Sequence, residues 1–213
     1  MFRLFGGKKA TFKPVKPHKP GSKREVLHEH TRRTLKTLGS GNMRAAVQLP
    51  AGEDINEWLA SNTVDFFNEI SLIWGIVNES GVIAQGPGEG FPPGFEYLWA
   101  DGVTVKTPIR CSAPQYIDYV MTWVEEHINN EAVFPSSPDV PFPRNYMAVV
   151  KSIFTRMFRI FAIIYTHHFS KLEELGAVAH LNTSFKHYLF FIWEFDLVDA
   201  REIDALRDIA GEL

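Results

Sequence analysis

Histidine is the first residue type that suggests chemistry in this 213-residue chain, because four of its eight histidines lie in the last third. A zinc enzyme would need ligands on one helical face, as in the spacing His-Glu-x-x-His. The adjacent His167 and His168 point about 100° apart on a helix, so they cannot face one ion together. His180 and His187 have no partner at metal-ligand spacing either. The pattern therefore favours histidines at a bundle rim or a helix cap over a metal site.

Other catalytic patterns are equally weak. Gly86-x-Gly88-x-Gly90 is not followed by the helix of a dinucleotide-binding or phosphate-binding loop, and no serine or cysteine stands in a nucleophile elbow. Cys111 is the single cysteine, which excludes an internal disulfide and favours a reducing compartment. The sequence therefore predicts no catalytic residue and a protein that is not an enzyme.

Two arginines carry a more specific suggestion. Arg156 and Arg159 stand three residues apart, and hence on one face of a largely apolar helix. Burying paired guanidinium groups is costly, and an anion such as a phosphate would offset that cost. The alternative is that both side chains reach the surface and pair with carboxylates of the same chain. The residues alone leave these two interpretations even.

A run of acidic residues surrounds Trp58. A large aromatic side chain within a carboxylate patch can dock a basic amphipathic helix. The simpler alternative is an acidic helix face that is only solvated. The acids are Glu53, Asp54, Glu57, Asp65 and Glu69.

The net charge of −3 conceals a division along the chain. Residues 1–50 hold 12 lysines and arginines against 2 acids, whereas the remainder holds 10 basic and 23 acidic residues. A basic arm on an acidic body either folds back on that body or serves a different partner. No apolar run approaches about 18 residues, so we expect no membrane span. We expect no nucleic-acid partner, and a cytoplasmic location that extends to the nucleus.

Hydrophobic periodicity predicts an all-α protein, a helical bundle with one small β-hairpin and a basic N-terminal arm. The arm, residues 1–46, is expected to be flexible with a helix over 24–38, and the bundle to occupy residues 47–213. The hairpin signal is Asp101-Gly102. Further helices are predicted to start at Asn62 or Thr63, at the capping box Ser112-x-x-Gln115, at Asn145 (the buried central helix, to about Leu175), at Asn182 or Thr183, and at Asp199.

Several segments of the chain resemble the Mob family, the Mps-one-binder kinase activators. The resemblance covers nearly the whole chain. Within the family, the chain is similar to the Mob-one class, which activates NDR/LATS-type kinases in Hippo and mitotic-exit signalling. It implies a helical bundle with a small hairpin and no catalytic activity. The matching segments are LPAGEDINEWLASNTVDFFNEI, CSAPQYIDYVMTW, VPFPRNY and AHLNTSFKH, with ATFKP and TLGSGN in the arm.

The resemblance also implies which residues carry the function. It implies that an acidic surface binds the basic N-terminal regulatory helices of an NDR/LATS-type kinase. The unphosphorylated arm would cover this surface until an upstream Ste20/Hippo-type kinase phosphorylates the arm at Thr11 and Thr37. A phosphopeptide pocket maps to Arg156 and Arg159. The kinase-binding residues map to Glu53, Glu57, Trp58, Asp65 and His187.

The chain departs from the family pattern at two places. The resemblance implies a zinc site, because members of the family usually hold zinc with two cysteines in the loop before the hairpin and two histidines on the long helix. Here the loop, residues 80–94, has no cysteine, one histidine position is Ile163, and only His168 remains. One ligand cannot hold zinc, so we expect a metal-free protein without a cofactor. Thr155 also replaces a lysine of the phosphopeptide pocket, which predicts weaker or altered phosphopeptide binding.

The sequence thus favours a non-catalytic coactivator that binds an NDR/LATS-type kinase and is regulated by phosphorylation of its arm. The alternative is a phosphopeptide-binding scaffold that recruits an upstream kinase or phosphatase assembly without activating an NDR kinase. A metal-dependent hydrolase is opposed by the missing ligands.

Overall fold

The computed structural model describes residues 20–37, 43–79, 81 and 85–212. The regular structure of these residues is entirely helical, which confirms the predicted all-α class. No helix among them has both the length and the hydropathy needed to cross a membrane. The helices are α1 (Lys23–Thr37), α2 (Met43–Val47), α3 (Ile55–Glu79), α4 (Ala113–Ile128), α5 (Tyr146–His167), α6 (Phe169–Glu174), α7 (Val178–Glu194), α8 (Ala200–Ile203) and α9 (Arg207–Glu212), with a 3₁₀ turn at Asp204–Leu206.

Helices α3, α5 and α7 meet in an aromatic core. The ring of Phe66 on α3 lies 5.8 Å from that of Phe154 on α5, and 5.1 Å and 5.3 Å from those of Tyr188 and Phe191 on α7. All four side chains are fully buried. Their edge-on contacts add to the stabilisation that comes from removing these large rings from water. The core therefore holds α3, which carries the acidic residues, against the two helices behind it.

The first residue of α3 is set by an acidic cap. Asp54 Oδ1 accepts hydrogen bonds from the backbone N–H groups of Asn56 (2.9 Å) and Glu57 (3.1 Å), so the helix begins at Ile55. The predicted caps Asn62 and Thr63 are wrong. Both are buried inside the helix, where their side chains donate to the carbonyl oxygens one turn earlier.

Other predicted helix starts have mixed outcomes. The capping box of α4 is confirmed, because Ser112 caps the helix and Gln115 bonds back to it, and Asp199 caps α8 by accepting from Arg201 N. Helix α7 begins at Val178, so Asn182 and Thr183 are interior residues. The predicted long helix is interrupted at His168, which separates α5 from α6.

The predicted β-hairpin is reduced to a single antiparallel bridge. Trp99 and Ile109 exchange two backbone hydrogen bonds of 2.9 Å, and no strand forms within the described residues. The reason lies in the Asp101 side chain, which accepts from the backbone N–H groups of Val103 (2.7 Å) and Val105 (2.8 Å). This side-chain turn replaces the two-residue turn that would have continued the ladder.

Candidate functional site

Helix α1 of the arm lies on acidic residues of α3 and of the turn that precedes α3. We call Glu53, Glu57 and Asp65 the acidic surface. Each of its carboxylates faces one side chain of α1: a lysine, an arginine and a histidine. The pairs are Lys23 Nζ–Glu53 Oε2 (2.9 Å), Arg24 Nε–Glu57 Oε2 (2.7 Å) and His28 Nδ1–Asp65 Oδ1 (2.7 Å).

Apolar burial fixes α1 in addition to the ion pairs. Leu27 is 2% exposed and belongs to the hydrophobic core, whereas its neighbour Val26 is 65% exposed. Burying a leucine side chain contributes about 2 kcal/mol, more than a typical exposed ion pair. The Ser61 hydroxyl also donates to the backbone oxygen of Arg24 (3.5 Å). The arm helix therefore docks through a short amphipathic face.

Arg24 contacts the bundle through three different groups. Besides Glu57, its Nη2 donates to the backbone oxygen of Pro135, and its guanidinium carbon lies 5.4 Å from the centre of the Phe142 ring. Its side chain is only 13% exposed, against 49% for Lys23. The loop before α5 thus takes part in holding the arm.

Trp58 and His187, expected at the kinase-binding surface, are core residues instead. Trp58 is 0% exposed and donates from Nε1 to the Val47 oxygen (3.1 Å). His187 is 4% exposed, and its ring centre lies 4.7 Å from that of Phe66. Burial lowers the pKa of His187 to about 4, so the ring is neutral at physiological pH. Trp58 is a residue of α3 that packs into the core, and His187 packs against α3 from α7, so both side chains are buried in this structure.

Glu69 extends the acidic surface into the interior, one helical turn beyond Asp65. Burial raises the pKa of Glu69 to about 7, partly offset by a hydrogen bond with Ser184 of α7, while the Asp65 charge raises it further. Burial also raises the pKa of Asp65, and His28 opposes that shift. The acidic sequence run therefore contains carboxylates of very different solvation, a difference that composition does not reveal.

Arg159 is satisfied by groups of its own chain. Its Nε donates to Glu202 Oε2 (2.9 Å), its Nη2 to Glu202 Oε1, and its Nη1 to the Tyr116 hydroxyl (3.1 Å). A bidentate carboxylate thus occupies the edge of the guanidinium that a phosphate would use. Glu202 lies on α8, 43 residues away, and no local pattern predicts this partner.

Arg156 lies between two indole rings. Its guanidinium carbon is 4.8 Å from the ring centre of Trp99 and 4.1 Å from that of Trp123, and Nη2 donates to the Ala100 oxygen (2.8 Å). Its Nη1 is buried and has no hydrogen-bond partner among the described residues. Burial lowers the pKa of Arg156, with the Arg159 charge acting in the same direction. The two arginines share one face of α5 but have different surroundings.

Of the two proposed phosphoacceptors, Thr11 and Thr37, the structure describes only the backbone of Thr37. Thr11 lies outside the described residues. Thr37 is the last residue of α1, and its side chain lies outside the described part of the chain. The structure therefore locates Thr37 on the same helix that covers the acidic surface.

The zinc implied by the family resemblance finds no matching donor set here. The ring of His168 lies edge-on to Trp74 at 5.5 Å, and burial together with His167 lowers the pKa of His168 to about 4. Ile163 is fully buried, and the chain's single cysteine, Cys111, is a buried residue beside the Tyr97 oxygen (3.9 Å). No group of three or more potential ligands occurs in the described ranges. These residues do not fit a zinc ion.

His167 supplies a different connection to the loop. Its Nε2 donates to the backbone oxygen of Phe91 (2.8 Å). The Phe91 side chain is 6% exposed and its ring packs on the rings of Tyr97 and Tyr116.

We expect His167→Ala to lower the free energy of unfolding by about 1 kcal/mol and to speed amide exchange around Phe91, because this hydrogen bond is lost. His180→Ala, at an exposed position, is the control for this variant.

A chelator should leave the melting temperature of the wild-type protein unchanged, because the residues at the expected zinc site do not fit the ion. A melting temperature that falls with chelator would instead indicate a structural metal.

Comparison with known proteins identifies the family. The family model described as Mob1/phocein matches residues 35–206. MOB kinase activator-like 1 homolog B of Dictyostelium discoideum is 50% identical over 214 residues, which cover 100% of this chain and 98% of that protein. MOB kinase activator-like 1A of Medicago sativa subsp. falcata is 46% identical over 213 residues, with coverages of 100% and 98%. The chain therefore belongs to the Mob1/phocein family.

Proposed function

We propose that this protein is a non-catalytic kinase coactivator whose acidic surface binds a basic helix in the N-terminal regulatory region of an NDR/LATS-type kinase. Relatives that are named kinase activators support a kinase-activator or adaptor role. One observation carries the finer proposal, namely that a basic helix, α1, already lies on this surface and places Lys23, Arg24 and His28 each against one of its carboxylates. A surface of this charge and shape suits a second basic amphipathic helix.

Helix α1 and the kinase helix would then compete for the same surface, so the arm inhibits binding. Phosphorylation of Thr37 by an upstream Ste20/Hippo-type kinase would add a charge near −2 at the C-terminal end of α1, where the helix dipole is already negative. This destabilises α1 and favours its release. A phosphate on Thr11 would reduce the positive charge of the arm in the same direction.

Asp65→Arg tests this function. The variant should lose co-purification with an NDR/LATS-type kinase, because the reversed charge repels the basic helix at a carboxylate whose side chain is 13% exposed. Glu126→Arg reverses an exposed acid on α4 and serves as the control. Circular dichroism establishes that both variants fold. Undiminished kinase binding by folded Asp65→Arg would refute the proposed surface.

Phosphopeptide binding at Arg156 and Arg159 is the second candidate function. The observation that favours it is the buried Nη1 of Arg156, a donor without an acceptor among the described residues. Against it stands the Arg159–Glu202 pair, which already satisfies one of the two cations. A phosphate would have to displace this carboxylate.

Glu202→Gln measures that competition. Removing the carboxylate charge should raise affinity for a phosphothreonine peptide about fivefold, because Arg159 no longer holds an anion of its own. Arg156→Ala should lower the affinity, and Glu174→Gln, an exposed acid on α6, is the matched control. Titration calorimetry supplies the values. Phosphopeptide affinity that responds to neither Arg156→Ala nor Glu202→Gln would place the binding site elsewhere.

A further inference from the structure

We propose that the acidic surface ends in a subsite that selects arginine over lysine. Arg24 of the arm fills it in this structure, and an arginine of the partner's basic helix fills it when the arm leaves. We call the Glu57 carboxylate, the Pro135 backbone oxygen and the Phe142 ring the arginine subsite. The proposal rests on the proposed helix docking and adds the residue type that the partner must present.

Three kinds of contact enclose the guanidinium of Arg24. Nε donates to Glu57 Oε2 at 2.7 Å, Nη2 donates to the oxygen of Pro135, and the Phe142 ring centre lies 5.4 Å from the guanidinium carbon. The neighbouring Lys23 makes one ion pair with Glu53 and is 49% exposed, against 13% for Arg24. The position of Arg24 is therefore enclosed, whereas that of Lys23 is open.

This arrangement matches a guanidinium and not an ammonium. A guanidinium is planar, donates from two edges in fixed directions and presents a flat face to an aromatic ring. A lysine ammonium is a compact charge that cannot satisfy Glu57, the Pro135 oxygen and the Phe142 face together. The backbone oxygen left unpaired in a half-buried position would then weaken binding.

The subsite is built on the bundle and not on the arm. The ring of Phe142 packs against buried Tyr146 at 4.4 Å, and Tyr146 packs against buried Phe134 at 5.3 Å. Glu57 is fixed at the start of α3, close to the Asp54 cap. Departure of α1 therefore leaves these contacts in place for an incoming arginine.

The spacing along α1 indicates the rest of the partner's pattern. Leu27 enters the core three residues after Arg24, and His28 pairs with Asp65 four residues after it. Positions three and four apart share a helix face. The fitting partner is thus a helix with an arginine, a leucine three residues later, and a histidine or another side chain that can pair with Asp65 four residues later.

Peptide titration tests the subsite. A labelled peptide of residues 20–37 is titrated into the full-length protein carrying Arg24→Glu, which frees the surface. We expect the peptide with Arg24→Lys to bind about tenfold more weakly than the native peptide, while Lys23→Arg changes affinity less than about twofold. Arginine and lysine have nearly equal helix propensity, so peptide helicity does not cause the difference.

Protein variants then locate the selectivity. Phe142→Ala in the same protein should reduce the arginine-to-lysine ratio to about twofold, because the ring face is lost. Val140→Ala, in the same loop and 48% exposed, should leave the ratio unchanged. Should Arg24→Glu fail to fold, as judged by circular dichroism, Arg24→Gln takes its place. Equal binding of the arginine and lysine peptides, or no binding of the native peptide, overturns the proposal.

The same assay separates this proposal from the proposed function. A kinase regulatory helix that fails to bind, while the arm peptide still discriminates arginine from lysine, would refute the kinase partner and leave the subsite standing. A kinase helix that binds equally well after each of its arginines is replaced by lysine would refute the subsite alone.

Discussion

Arg24→Glu in the full-length protein should raise its affinity for the basic regulatory helix of an NDR/LATS-type kinase by roughly 30-fold. The side chains of Arg24 and Glu57 are 13% and 17% exposed, so charge reversal leaves two carboxylates facing each other with little solvent between them. The Pro135 oxygen also loses its donor. Helix α1 then no longer covers the surface, and the fraction of binding-competent molecules rises.

Fluorescence anisotropy at low and high ionic strength measures the effect, which should shrink with salt because ion pairs hold the arm. Deleting residues 1–40 should reproduce the gain. Arg207→Glu is the matched control, since this exposed arginine pairs with Asp204 three residues away and far along the chain from α1. An affinity that stays constant or falls in both Arg24→Glu and the deletion would exclude α1 as a competitor.

The docked arm shows how much of the site the distribution of charge along the sequence can predict. The division into a basic first 50 residues and an acidic remainder predicts that the arm can fold back, and α1 does lie on α3. The charge distribution does not predict which residues of the bundle contact each residue of α1. The Arg24 contacts come from Glu57, from Pro135 and from Phe142, which are separated by up to 118 positions from the arginine.

The acidic run shows why helical periodicity is not sufficient. Trp58, Asp65 and Glu69 point within about 40° of one another around the axis of α3, so the sequence gives them the same direction. Their surroundings differ because different elements cover them: Val47 of α2 lies over Trp58, His28 of α1 over Asp65, and α7 beside Glu69. Burial of Trp58 was therefore decided by tertiary packing.

The surroundings of the two arginines on α5 are likewise decided by tertiary packing. The sequence places Arg156 and Arg159 on one face and leaves a phosphate and an internal carboxylate as equal alternatives. Arg159 pairs with the internal carboxylate of Glu202. Arg156 instead lies between the indole rings of Trp99 and Trp123. Both outcomes depend on contacts between distant segments, which residue spacing does not encode.

Glu69→Gln should stabilise the protein by about 3 kcal/mol above pH 7, and have almost no effect below pH 4.5. Burial raises the pKa of Glu69 from 4.5 to about 7. Between these values the folded protein holds a proton that the unfolded chain releases. The free energy of unfolding therefore falls as the pH rises through this interval and stays low above it. Glutamine has no proton to lose and keeps the side-chain volume.

Urea denaturation between pH 4.5 and 8 measures the difference between variant and wild type at each pH. His187 and His168, whose pKa values burial lowers to about 4, destabilise both proteins as the pH falls below about 6.5, so their effect cancels in the difference. Glu126→Gln, at an exposed position on α4, is the control variant. A difference between variant and wild type that does not change with pH would mean that Glu69 has the same pKa in the folded and the unfolded protein, so that burial does not raise it.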